Sequence, residues 1–379
     1  MKKITHIITG LNVGGAEMML YKVLQHSSGK EFQHEVISLT DVGLIGEKIQ
    51  KLGVPVRALK MRGFDLPITV IRIALWLRKS NPDVVQTWMY HADLVGGLAV
   101  TLSFKKIPVV WGIRQSNLNP KLNKRRTILV ARVGAFLSRS IPKKIIINSM
   151  RGKKNHEALG YQSSKMVVIP NGFDLKVFHP DVEARILFRQ KIGAPQESFI
   201  IGSVARFDPS KDQKTLIQSA KILLREYKDL HFVLCGRQMN YKNKLLLEWI
   251  NEIDIAPRLH LLGECEGVEN IMAAFDIAVL SSVSEGFPNV LGEAMACGVP
   301  CVATDAGDSA YIVGDTGFVV SPGDHVALAN SLRQMIEMRD DKRKALGIRA
   351  RKRIEENFSV DLVVKKYMEL YTSLVWISL

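Results

Sequence analysis

Short, continuously apolar runs alternate with longer stretches of helical spacing along the whole of this 379-residue chain. Lys3–Thr9, Glu35–Leu39, Val84–Thr87, Pro108–Gly112, Lys144–Asn148 and Met166–Ile169 read as strands of the first half. Phe199–Val204, His231–Cys235, Leu259–Leu262, Ile277–Ser281, Val299–Ala303 and Phe318–Val320 repeat the pattern in the second. Runs that are apolar throughout, with no polar alternation, belong in parallel sheets covered by helices on both faces. Gln213–Tyr227, Lys242–Ile253 and Val326–Met338 have the helical spacing such covering requires. The expectation is therefore α/β, with two Rossmann-like doubly wound domains. A chain of this length also outgrows a single core.

Ile169-Pro170-Asn171-Gly172-Phe173-Asp174, continuing to Phe178-His179-Pro180, breaks both kinds of regular structure. It predicts a first domain over 1–178 and a second over 179–358. Ser359–Trp376 closes the chain with an amphipathic helix whose stripe is Leu362, Val363, Tyr367, Leu370, Tyr371 and Leu374. The N-terminal run is too short and too polar at His6 for a signal peptide, and Gly-Leu-Asn-Val-Gly-Gly follows it, so a buried first strand fits better. No window reaches the roughly 18 apolar residues of a membrane span. Cys235, Cys265, Cys297 and Cys301 are too few and too poorly spaced for a disulfide framework or a zinc site, and are expected as reduced, small apolar residues.

Three segments carry chemistry. Gly14-Gly15-Ala16-Glu17 lies between the first strand and a helix, where bare backbone N–H groups come close to an anion. This signal is weak, because paired glycines in such a turn are often a packing device. Arg206-Phe207-Asp208-Pro209-Ser210-Lys211-Asp212 follows the strand Phe199–Val204, at the carboxyl end where parallel sheets bind ligands. Two cations there suit a diphosphate, Arg206 as a fork and Lys211 as a point charge. Downstream, Glu285 and Glu293 flank Gly286-Phe287-Pro288-Asn289-Val290-Leu291. Pro288 sets a loop, Asn289 is placed to cap the following helix, and Glu293 falls in that helix's first turn. The N–H groups of Asn289, Val290 and Leu291 then face the same anion, while the carboxylates can accept bonds from sugar and ribose hydroxyls.

The string Glu285-Gly-Phe-Pro with Glu293-Ala-Met-Ala-Cys-Gly-Val-Pro resembles the signature of retaining family 4 glycosyltransferases of GT-B fold. The resemblance spans nearly all of Phe199–Asp324 and is looser in the first half, through Gly14-Gly15-Ala16-Glu17, the His91 region and Pro170-Asn171-Gly172. It implies two domains facing a cleft, with the last helix returning to the first domain. It also implies a nucleotide-diphosphate sugar, UDP-sugar favoured, with Arg206 and Lys211 on the diphosphate and Glu293 on the ribose. Glu285 with the backbone of Gly286 and Phe287 would hold the sugar, and the base would lie against Leu262–Cys265. Gly14 and Gly15 would meet the phosphate and His91 the sugar, from the first domain. The leaving diphosphate would take the acceptor's proton on the same face, so no protein nucleophile is needed. No Asp-x-Asp element occurs, so neither a metal nor another cofactor is expected.

Charge is distributed unevenly. Up to Pro170 there are 27 Lys/Arg against 9 Asp/Glu, and the remainder carries 25 against 28, within a total of +15. Lys121, Lys124, Arg125, Arg126, Arg132, Arg139, Lys143 and Lys144 accompany apolar Leu122, Ile128, Leu129, Val130, Val133, Phe136 and Leu137. A helix there would be basic on one side and apolar on another, suited to an anionic membrane surface. The expected setting is cytoplasmic and peripheral, on the inner face of a membrane, with a saccharide or lipid-linked acceptor of surface-polysaccharide synthesis. Rival readings are a nucleotide-sugar epimerase or phosphorylase of the same fold, and a basic nucleic-acid-binding protein. No specific nucleic-acid motif supports the last.

Overall fold

The computed structural model describes residues 1–27, 31–62, 65–116, 125–251 and 256–376. The chain divides into two compact units, Met1–Gly172 with Val360–Leu379, and Phe173–Ser359.

In the first unit β1 (Lys2–Ile8), β2 (Phe32–Ser38), β3 (Val56–Ala58), β4 (Val84–Trp88), β5 (Val109–Ile113), β6 (Lys144–Ile147) and β7 (Met166–Val168) form one parallel sheet. Their order is β3-β2-β1-β4-β5-β6-β7, so the direction of winding reverses between β1 and β4. α1 (Gly15–Ser27), α2 (Gly43–Lys51), α3 (Leu66–Ser80), α4 (Tyr90–Ser103), α5 (Arg125–Leu137) and α6 (Met150–Ala158) connect the strands. Apolar strand residues face both ways: Ile4, Ile8 and Val36 pack with α1 and α2, and Ile7, Ile37 and Val85 with α3, α4 and α5. β3 was not expected from the sequence. It is a three-residue edge strand, Val-Arg-Ala, too short to show a period.

The second unit has α7 (Val182–Lys191), β8 (Phe199–Val204), α8 (Gln213–Glu226), β9 (Leu230–Cys235), α9 (Lys244–Asn251) and β10 (Leu259–Gly263). α10 (Val268–Ala273), β11 (Ile277–Leu280), α11 (Asn289–Ala296), β12 (Cys301–Thr304), α12 (Ser309–Val313) and β13 (Gly317–Val320) follow, then α13 (His325–Glu337) and α14 (Asp340–Phe358). This sheet is also parallel, in order β10-β9-β8-β11-β12-β13, and its switch lies between β8 and β11. The four cysteines are free, and burial pushes Cys235 and Cys297 up to about 12.

α15 (Val360–Trp376) returns to the first unit, burying Val363, Val364, Tyr367, Tyr371 and Leu374. Leu362 was expected in that stripe but is exposed, and Val364 takes its place. The first unit ends at Gly172, where an added Cβ would lie 2.8 Å from the Val360 Cα. Residues 173–178, expected in the first domain, therefore belong to the second. The Phe173 N–H donates to the Phe358 carbonyl at 2.9 Å, and its ring stacks on Phe287.

A directed hydrogen-bond chain runs through the first core. Trp88 Nε1–H donates to His6 Nδ1 at 3.2 Å, so the His6 proton sits on Nε2 and is given to His34 Nδ1 at 3.0 Å. His34 Nε2–H then donates to Ser27 Oγ at 3.0 Å, and that hydroxyl to the Val23 carbonyl. Both rings are fixed as one neutral tautomer, with no acceptor for a further proton. Burial accordingly lowers the pKa of His6 well below its ordinary value and that of His34 to about 4. An unfolded histidine titrates near ~6.5, so between there and pH 4 the unfolded chain binds more protons and stability falls as pH falls. At ~1.4 kcal/mol per unit, His34 alone contributes a loss of about 3 kcal/mol across that window. Asp93, raised to about 7 by burial, acts in the opposite sense. The test is thus a comparison: the pH 7 to pH 4 stability loss is smaller by about that amount in His34→Asn, where Asp93 cancels. Equal losses in the two proteins would contradict the chain's role.

Candidate functional site

The switch point of the second unit gathers most of the expected residues. β8 and β11 are neighbours, so the loops leaving their carboxyl ends meet. After β8 the chain forms a short 3₁₀ turn, Pro209–Lys211, capped by Asp208, which accepts from the Ser210 N–H at 2.9 Å and its hydroxyl at 2.6 Å. Arg206 pairs with the same Asp208 at 3.1 Å. Burial opposes ionisation of Asp208, but the bonds from Ser210 and Arg206 outweigh it and hold its pKa below the usual carboxylate range.

Lys211 reaches the other loop. Its Nζ lies 2.5 Å from Glu285 Oε1, which also accepts from Ser282 Oγ at 2.7 Å. The backbones are joined too: Ser281 Oγ donates to the Lys211 carbonyl at 2.8 Å, and the Val283 N–H to that of Ser210 at 2.9 Å. Lys211 and Glu285, 74 positions apart, thus form one mostly buried ion pair. Arg206, in the same loop, is more than half exposed.

Gly286 offers backbone: its carbonyl accepts from the Asp308 N–H at 3.0 Å. Gly307, at φ +61°, comes so close that a Cβ there would stand 2.4 Å from the Gly286 oxygen, so only glycine fits. The Phe287 ring is buried against Phe173 and Phe358 and belongs to the core.

Three local expectations for α11 need correction. Asn289 does not cap the helix. Pro288 occupies the cap position without a side-chain bond, and Asn289 is the first helical residue. The Leu291 N–H donates to the Pro288 carbonyl at 3.2 Å, so it is not offered to an anion, and the Leu291 side chain is buried. Glu293 lies in the second turn, since the helix begins at 289. Asn289 and Val290 remain in the N-terminal turn, where backbone N–H groups precede any intrahelical acceptor. Leu262 and Cys265 lie half-buried at the end of the edge strand β10.

In the first unit the corresponding neighbours are β1 and β4. After β1, Gly15 opens α1 and Gly14 lies under Glu17, where an added Cβ would be 2.4 Å from a Glu17 carboxylate oxygen. Burial raises the Glu17 pKa. After β4, Met89 takes φ +72° and ψ +154°, a strained geometry for a side-chain-bearing residue. It is held by its own N–H to the Gly112 carbonyl at 2.8 Å and by the Asp93 N–H to its carbonyl at 2.9 Å. His91 follows in the first turn of α4, half-buried, and its burial lowers the pKa, leaving a neutral ring. Sequence reasoning missed Ser282, Gly307, Asp93 and Arg114. Arg114, just past β5, bonds Tyr367 Oη at 3.1 Å and Asn171. A cation at a strand's carboxyl end was the available signal for Arg114.

Lys121, Leu122 and Lys124 of the expected basic helix lie outside the described residues. In α5 the core-facing positions are the small Ala131, Gly134 and Ala135, whereas Leu129, Val133 and Phe136 are exposed. Among the described residues no helix is long and apolar enough to cross a membrane, and no group of three or more His, Cys, Asp or Glu is placed to hold a metal ion.

Family models match both units. Residues 184–353 match the family Glycosyl transferases group 1, and residues 13–177 match Glycosyltransferase Family 4. The chain is 26% identical over 313 residues to the UDP-Gal:alpha-D-GlcNAc-diphosphoundecaprenol alpha-1,3-galactosyltransferase of Escherichia coli, covering 81% of this chain and 79% of that one. It is 25% identical to the capsular polysaccharide biosynthesis glycosyltransferase CapM of Staphylococcus aureus, with 80% of each covered. The crystal structure of Anabaena HepE in complex with UDP superposes with a TM-score of 0.86 over 98% of this chain and 100% of that one, at 24% identity.

Proposed function

Because the chain belongs to the family 4 glycosyltransferases of GT-B fold, we propose that it transfers a sugar from a nucleotide-diphosphate donor to a saccharide or lipid-linked acceptor in cell-surface polysaccharide synthesis. A UDP-sugar is the favoured donor. The Escherichia coli relative is named for UDP-Gal and a diphosphoundecaprenol-linked acceptor, and Anabaena HepE was solved with UDP and with UDP-glucose.

The observation that carries this reading is the Lys211–Glu285 pair at the β8/β11 switch, in the loops just before α8 and α11. In it, Lys211 and Arg206 stabilise charge as it develops on the leaving diphosphate, helped by the first-turn N–H groups of α11. Glu293 holds the ribose. Glu285, positioned by Lys211 and Ser282, orients the sugar with the backbone of Gly286 and Phe287. We assign no protein nucleophile: the departing phosphate takes the acceptor's proton on the face it leaves, and the anomeric configuration is retained. The charge role falls to a lysine and an arginine, so the reaction proceeds without a divalent metal. The first unit takes the acceptor side, with neutral His91 as a hydrogen-bonding group. Its basic character supports a setting against an anionic, cytoplasmic membrane face.

Thermal unfolding with UDP, GDP or ADP in EDTA tests the donor site. A nucleotide at 100 times its Kd stabilises by roughly 2.7 kcal/mol. UDP is expected to give this shift without metal, and Glu293→Ala to abolish it. A shift that requires added Mn²⁺ or Mg²⁺ would overturn metal independence, and a shift with GDP alone would overturn the base.

A further inference from the structure

The helices α3, α4 and α5 cover one side of the first sheet in that order, α4 packing between the other two. Their outward surface is unusual in two respects. It carries large apolar side chains, and it has no exposed acidic residue: α3 and α5 contain no Asp or Glu, and Asp93, the single carboxylate of α4, is buried. On α3, Ile68, Ile71 and Leu75 are 60%, 49% and 57% exposed and fall at i, i+3 and i+7, one continuous stripe. On α5, Leu129 and Phe136 are 63% and 74% exposed among Arg125, Arg126 and Arg132.

Beside the α3 stripe is a cavity of about 330 Å³ lined by Arg57, Arg72, Trp76, Lys79 and Leu75. The Arg57 guanidinium lies 3.7 Å above the Trp76 ring, which fixes it in place. Among the described residues none of Arg57, Arg72 and Lys79 has an ion pair. Glu35 receives the Trp76 indole at 3.4 Å and is engaged by Thr5, Ser80 and Lys3. Three cations without an ion pair among the described residues thus line one cavity.

We propose that this cavity binds the phosphate of an anionic phospholipid headgroup, while Ile68, Ile71 and Leu75 enter the bilayer interface beside it. The combination selects the occupant. Cations interleaved with protruding aliphatic and aromatic side chains on α3 and α5, two helices that carry no carboxylate, match an anionic membrane surface. A nucleic acid would leave the aliphatic stripe in water. α3 begins just after β3 and α5 well after β5, so both start on the side of the sheet's carboxyl edge, where His91 lies. Docking this face therefore holds that edge close to lipid, which rests on the transferase reading only for its purpose.

The test is flotation of the full chain with vesicles of phosphatidylcholine alone or mixed with phosphatidylglycerol. Binding to the mixed vesicles is expected, and each cation at the surface contributes about 1 kcal/mol, or roughly fivefold. Arg72→Glu/Lys79→Glu should thus lose about 25-fold or more, and Ile68→Ser/Leu75→Ser should lose binding without any change in charge. Lys342→Glu/Lys344→Glu on α14, with the same charge change, should bind as the parent does. UDP-induced stabilisation should be unchanged in all three variants, which separates failure of the docking face from failure of the donor site. No preference for anionic vesicles, equal loss in the α14 control, or binding to an oligonucleotide but not to vesicles would each overturn the proposal.

Discussion

Lys211→Ala is expected to lower kcat/KM for the nucleotide sugar by about 10²–10³, the range seen when one preorganised charge-stabilising donor is removed from an active site. The expectation comes from where the ammonium is held. Lys211 ends a 3₁₀ turn whose carbonyl is fixed by Ser281 and whose start is capped by Asp208, so its chain has little freedom to relax elsewhere. Its Nζ already sits on Glu285 Oε1 at 2.5 Å, mostly shielded from solvent. Removing it deletes a cation from the proposed diphosphate site and leaves Glu285, among the described residues, with Ser282 as its side-chain partner. Glu285→Gln keeps the shape and removes the charge, and it should act mainly on the sugar's orientation. Because the two side chains form one unit, the double variant should lose less than the product of the single losses. Lys211→Arg should not restore activity, since a planar fork cannot reproduce a point charge in a space built around one ammonium. Turnover by Lys211→Ala within about threefold of the parent would remove the lysine from the charge-stabilising role. Independent, multiplicative losses would show that the ion pair is structural only.

What could be read from the sequence follows the range of the physics involved. Continuous apolar runs are set by burial on both faces, a local requirement, so the parallel strands of both sheets were visible, while Val56-Arg57-Ala58 was lost among loops. Arg206, Lys211, Glu285 and Glu293 were visible as residues at strand ends and helix starts. That Lys211 meets Glu285 was not, because it depends on β8 lying next to β11, a consequence of strand order and not of spacing. The start of α11 was misjudged for a different reason. Asn is a good capping residue, but Pro288 fixes the backbone at the cap one position earlier, and the helix begins at Asn289. In α5 the apolar positions were expected as one face of a basic, membrane-suited helix, but which residues would pack on the sheet was not legible. Ala131, Gly134 and Ala135 make the packed face, where Tyr161 approaches Gly134 closely, and the larger residues are turned outward. Size, not hydrophobicity, decided which side faced the sheet.

The same logic of size sets the largest stability effect. Phe173 is fully buried where the chain enters the second unit, its ring stacked on Phe287 at 6.2 Å between centroids. It also touches α11 where that helix has no side chain: a Cβ on Gly292 would stand 2.1 Å from the Phe173 Cζ. The ring therefore supports both the Glu285-Gly286-Phe287 loop and the helix carrying Glu293. Phe173→Ala should destabilise the second unit by about 3–5 kcal/mol, the usual cost of emptying a buried aromatic site. Its melting transition should drop by on the order of 10 °C. Gly292→Ala should cost about 1–3 kcal/mol by overpacking, because the rigid ring cannot withdraw from the new methyl. The informative measurement is the double variant. If the ring and the missing side chain are complementary, the methyl that Gly292→Ala introduces enters space that Phe173 vacates, and the combined loss is smaller than the sum by about 1 kcal/mol or more. Strict additivity would mean that α11 is positioned by other contacts. A raised KM for the nucleotide sugar in Phe173→Ala, measured well below its melting transition, would then be left without the cause argued for it.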